Sequence, residues 1–177
     1  INDAPVTQVE TSRTAYKLEI SPTEYFLVEN REQTLYDSFL PRSGILIWHI
    51  DESMSDNTNE NHKRVDLEEA HGAIQHLDSI EHPINNNGDA NDPYYSNPMG
   101  FTDTTDPNSR SYAGNPTELC VTDISAAGTT MYADFLQGNA TVARKRNLQY
   151  FEMKRTMNID LTKLRNYQYF ELQRTMN

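Results

Sequence analysis

One cysteine, Cys120, in a chain of 177 residues rules out an internal disulfide framework. No apolar run approaches the roughly 20 residues that a membrane-spanning helix needs, so no membrane span is expected. Basic residues are scarce over most of the length. Residues 1–139 carry 7 Lys and Arg against 23 Asp and Glu, a balance of −16, which argues against nucleic acid as a partner and for cations. A sequence that opens on Ile1 and has no signal-peptide pattern reads as a processed product, a fragment or an excised domain. Hydrophobic residues make up only 36% of the chain, a content that suits a β fold with long polar loops better than a disordered chain. An extracellular domain of this kind without disulfides needs another staple, and bound metal is the first candidate.

The fold expected is mostly β, an antiparallel or sandwich-like domain with long calcium-binding loops over residues 1–138. Tyr25–Asn30 is a β-rich run behind the turn-forming Ser21-Pro22. Gly44–Ile50 is apolar nearly throughout, as in a strand covered on both faces. Arg64–Glu69 alternates, which turns Val65 and Leu67 inward. Leu119–Ser125 and Thr130–Leu136 alternate as well, with Met131, Ala133 and Phe135 on one face, and Gly128 between the runs suggests a hairpin. Residues 85–117 are rich in Asn, Asp, Gly and Pro without helical period. A loop of that length inside a compact domain is usually functional.

Residues 139–177 form a second, basic unit. Asn147–Asn158 recurs as Asn166–Asn177 with 9 of 12 positions identical. Each copy fits an alternating strand or a short amphipathic helix, and the sequence does not decide between them. The opposed charges of tail and body make a homo-oligomer contact through residues 140–177 one expectation for a partner. Asn139-Ala-Thr141 matches a glycosylation sequon.

Hard cations take six to eight oxygen ligands, and two segments are dense in them. Residues 51–62 follow directly on the 44–50 run, and residues 85–92 precede Pro93. In the second, Gly88 permits a sharp turn, so that Asp89 and Asp92 converge with carbonyls between them. Ordinary solvated turns are the competing reading. None of the five histidines (His49, His62, His71, His76, His82) forms H-E-x-x-H, so no zinc site and no catalytic residue is expected within the chain. No G-x-S-x-G elbow presents a serine nucleophile. His49 and Asp51 share a strand face and suit acid–base work, or packing beside a cation loop. Glu29 pairs with Arg31 on the same face, as a structural ion pair or as a functional carboxylate. Tyr94, Tyr95, Phe101 and Tyr112 pack under the long loop or form a sugar-stacking platform.

Several stretches belong together in order and spacing. They are Glu24–Arg31, Gly44–Glu52, Arg64–Gly72, Gly88–Pro93, Phe101–Ser109 and Val121–Ser125 with Gly128–Phe135. As a set covering residues 20–136, they resemble the region downstream of the zinc motif in immune inhibitor A-type secreted metallopeptidases. The resemblance implies a secreted or cell-surface bacterial or archaeal protein, with a calcium-stabilised β region beside a peptidase active site. Its implied calcium positions are Asp51 and Glu52, Asp89 and Asp92, and Asp103. The zinc-binding helix of that family is absent from this sequence, the family favours Asp at the position of His71 and Gly at that of Asn91, and the tail has no counterpart. The expected function is therefore a non-catalytic, calcium-stabilised extracellular β module. The alternatives are a self-assembling surface or filament subunit, and the C-terminal part of an active zinc peptidase whose catalytic region is an upstream partner.

Overall fold

A computed structural model of the chain describes residues 1–71 and 88–137. The glycosylation sequon at Asn139 and the repeated tail lie outside the described residues.

Seven strands are described: β1 (Ala4–Thr7), β2 (Tyr16–Glu19), β3 (Glu24–Arg31), β4 (Gly44–Asp51), β5 (Val65–Leu67), β6 (Cys120–Thr122) and β7 (Thr130–Leu136). A one-turn helix, α1 (Val9–Ser12), follows β1. The strands form two antiparallel sheets, β1-β7-β6 and β2-β3-β4-β5, so the mostly-β antiparallel expectation describes the molecule. β3 and β4 pair along their whole length, from Glu24 opposite Asp51 to Arg31 opposite Gly44. This register puts Phe26, Val28, Ile47 and His49 on one inner face.

A single core draws on both sheets. Val6, Val121, Met131, Ala133 and Phe135 come from the first, and Leu18, Phe26, Val28, Ile45 and Ile47 from the second. β7 follows its sequence pattern, with Met131, Ala133 and Phe135 buried. Asn30 is fully buried and ties the sheets together, its amide donating to the carbonyls of Val6 at 3.0 Å and Gly128 at 2.8 Å.

Two expectations change. β4 is fully covered on one face only; on the other, Leu46, Trp48 and Ile50 are half-buried. Val65 does not face inward but is 38% exposed, and Leu67 is half-buried. β5 contributes just three residue pairs at the margin of its sheet, and no strand covers its outer flank.

The segment after Gly88 has no named strand before β6, yet it is sewn to both sheets. Tyr94 bridges Ile45, and Phe101 bridges Val121. Both aromatic side chains are buried, and the Phe101 ring contributes about 2–3 kcal/mol by leaving water. Gly100 makes that descent possible: its φ is +65°, and a Cβ there would lie 1.9 Å from the Val121 carbonyl oxygen.

Candidate functional site

Beyond β5 the chain runs beside the segment that leads to Tyr94. The Ala70 N–H donates to the Asp92 carbonyl at 2.9 Å, which sets His71 next to Asp92. Residues 88–92 are turned on themselves by their own side chains. The Asp89 N–H donates to Asp92 Oδ2 at 2.5 Å, and the Asn91 N–H donates to Asp89 Oδ1 at 2.6 Å. Gly88 is needed for closeness, since a Cβ there would meet Asp92 Oδ2 at 2.9 Å. The outcome is a three-residue group. One ligand atom each from His71, Asp89 and Asp92 lies within 4.8 Å of the others, and His71 Nε2 is 3.6 Å from Asp92 Oδ1. Asp92 is only 5% exposed, a burial that a carboxylate tolerates when paired or coordinated. Two carboxylates suit a hard cation, whereas an imidazole nitrogen suits the zinc class of ions.

Asp89 and Asp92 are thus brought together as the sequence suggested, and His71 joins them. Asp51, Glu52 and Asp103 are not part of this group. Asp51, at the end of β4, accepts from the Ser53 N–H at 2.9 Å and pairs with His62 Nε2 at 2.7 Å. Burial pushes its carboxyl up, but hydrogen bonds from Ser53 and the pairing with His62 outweigh that and hold it below the ordinary carboxylate value. Glu52 accepts the Tyr25 hydroxyl at 2.8 Å, and this hydrogen bond raises the phenol's pKa. Asp103 accepts the Thr117 N–H at 2.9 Å on Oδ1 and the Glu118 N–H at 2.8 Å on Oδ2. The Ser109 hydroxyl reaches Oδ1 at 3.3 Å.

His49 does not pair with Asp51. Its ring lies between Glu24 Oε1, 3.0 Å from Nε2, and Glu68 Oε1, 3.2 Å from Nδ1. Tyr112 stacks on His49 at 4.0 Å and on His62 at 4.1 Å, making a three-ring column. Glu24 also accepts the Tyr112 N–H at 2.7 Å. Burial pushes the Tyr112 phenol far up, so it stays neutral. Both nitrogens of His49 face carboxylates, and among the described residues no hydroxyl or thiol nucleophile is bonded to it. The column therefore fastens the 103–118 segment to the second sheet.

The remaining candidates take structural places. Glu29 holds Arg31 at 2.9 Å and accepts the Trp48 indole N–H at 3.0 Å, and Arg31 reaches on to Asp37 at 3.0 Å. Tyr94 and Phe101 are in the core, and Tyr112 is covered on both ring faces. The Arg42 guanidinium lies 3.6 Å over the Tyr95 ring. None of these aromatics offers the open platform that sugar stacking requires.

Sequence reasoning did not anticipate Glu24, Glu68 and Tyr112 around His49, or His71 beside Asp92. One signal was available for Glu24: it extends the inward period of Phe26 and Val28 to an acidic residue. No family model matches the chain, and neither does any curated protein or solved structure. Among the described residues, no helix is long and apolar enough to cross a membrane.

Proposed function

We propose that this protein is a non-catalytic extracellular β module stabilised by calcium bound at Asp89 and Asp92. The observation that supports it is the convergence of these carboxylates with His71 within 4.8 Å. Asp89 and Asp92 supply oxygen ligands, and backbone carbonyls and water complete the six to eight that calcium takes. His71 and Asp89 are 18 positions apart in the sequence, so an ion held between them links two distant points of the chain. Such a link, in a chain with one cysteine, gives the ion the role a disulfide plays elsewhere.

Thermal melting in chelator and in roughly 10–100 mM calcium tests the reading. With affinity in the extracellular range, about 10⁻⁴–10⁻³ M, a hundredfold excess of calcium adds roughly 3 kcal/mol. That raises the midpoint by roughly 10 °C. An unchanged midpoint removes the proposal. A rise with zinc or manganese but none with calcium means that the His71 nitrogen decides the occupant, and calcium is then the wrong ion.

A further inference from the structure

We propose that a second site, the cleft between β5 and the 106–114 segment, binds a primary ammonium or guanidinium group carried on an alkyl stem. The cleft has a volume of about 390 Å³ and is floored by His49. Asp66 and Glu68 form one wall; Asp106, Pro107, Arg110 and Tyr112 form the other. That volume exceeds tenfold the share of one water molecule, about 30 Å³, so a lone metal ion would leave it mostly filled with solvent. A side-chain-sized ligand fits it.

The sign of the ligand follows from the lining. Asp66 Oδ1 pairs with Lys63 Nζ at 3.1 Å, and Lys63 also pairs with Glu60 at 3.3 Å. Glu68 and Glu24 hold His49. Asp106 is exposed and takes part in none of these pairs. Three carboxylates, Asp66, Glu68 and Asp106, therefore line the cleft against the one cation Arg110, and His49 adds at most one positive charge. The field is negative in either state of the imidazole, and low-dielectric walls focus it. Arg110 does not recruit an anion here, because it braces the loop. Its Nε donates to the Asp103 carbonyl at 3.1 Å and its Nη1 to the Gly114 carbonyl at 3.0 Å. An anion drawn to it would also face Asp106 and Glu68. Pro107 and Tyr112 supply carbon surface for a methylene stem whose charged head reaches the carboxylates.

The same cationic head occurs on free diamines and on basic side chains of peptides. Calorimetric or NMR titration of the full chain uses three probes: Nα-acetyl-lysine methylamide, 1,5-diaminopentane and the Nε-acetylated lysine amide. Saturable binding of an ammonium probe, and none of the neutral acetylated one, is the expected result. A preference for the lysine amide marks a peptide ligand, and a preference for the diamine marks a free amine. Asp106→Asn weakens binding about tenfold, the loss of one charged hydrogen bond. Glu19→Gln, which removes the same charge from the exposed side of β2, changes it less than about twofold. Absence of saturation, equal binding of the acetylated probe, or equal weakening by the two variants overturns the proposal.

Discussion

The segments around Asp92 and around Asp103 have similar compositions and opposite solutions. Gly88–Asp92 and Phe101–Ser109 are both short, Asp-bearing and turn-forming. At Asp103 the chain folds back so that the backbone N–H groups of Thr117 and Glu118 point at the two carboxylate oxygens. The second of these donors is held with φ at +58°, a left-handed conformation that costs about 1 kcal/mol or more outside glycine. The hydrogen bonds to a full charge offset that strain. At Asp92 the donor is local, the Asp89 N–H, and what approaches from outside is His71, with the Asp89 carboxylate alongside. One carboxylate is met by backbone amides from a segment 14 and 15 positions along the chain. The other loop assembles a nitrogen and two carboxylates in the manner of a cation site. An acidic loop thus becomes a candidate metal centre through what faces the carboxylate, and acidity alone does not distinguish the two.

The largest expected effect breaks the comparison on the cation side. Asp92→Asn keeps the size of the side chain and an acceptor for the Asp89 N–H, but removes the charge that calcium needs. The variant should melt close to the parent in chelator and lose nearly all of the roughly 3 kcal/mol that calcium adds. If its calcium response matches that of the parent, the ion binds elsewhere.

Asp103→Ala sharpens the comparison from the other side. It strips the acceptor from two backbone N–H groups, a loss of about 2 kcal/mol. That loss should be the same in chelator and in calcium, read as a shift of the denaturant midpoint without change of slope. A loss that grows when calcium is added would place Asp103 among the ligands.

The elements legible in the sequence are those with long periodic patterns. β7 is legible residue for residue, because Met131, Ala133 and Phe135 alternate with Thr130, Tyr132 and Asp134, although Asp134 and Leu136 are buried as well. β3 and β4 were found to within a residue or two. β1 and β2 are four residues each, too short to show a period, and they owe their conformation to pairing with β7 and β3. The sequence pattern turns Val65 inward, because alternation alone cannot tell an edge strand from a central one. Of the candidate metal group, Asp89 and Asp92 were legible because three residues and a glycine bring them together locally. His71 was not, because its approach depends on the Ala70–Asp92 hydrogen bond across 22 positions of sequence. The partners of His49 come from Glu24, Glu68 and Tyr112, three segments whose meeting is set by sheet register and by the descent of the long segment at Gly100.

The smallest effect concerns Asp51, a carboxylate that the protein satisfies with its own donors, as it does Asp103. Its pKa lies below the ordinary value, because the hydrogen bonds from Ser53 and the pairing with His62 outweigh its burial. A carboxyl depressed in the folded state contributes stability at pH values above its unfolded pKa, about 3.9. That contribution fades as pH falls through the folded value, where the native state takes up the proton last. Asp51→Asn removes this titration while keeping one oxygen for the Ser53 N–H. The variant should therefore be less stable than the parent at neutral pH, and the gap should narrow as the pH falls below the ordinary carboxylate value and through the lower folded one. Denaturant midpoints across that range, with chelator present throughout, read the difference directly. A gap independent of pH would mean that Asp51 acts through shape rather than charge. A gap that appears only with calcium would move Asp51 from the self-satisfied carboxylates to the cation ligands.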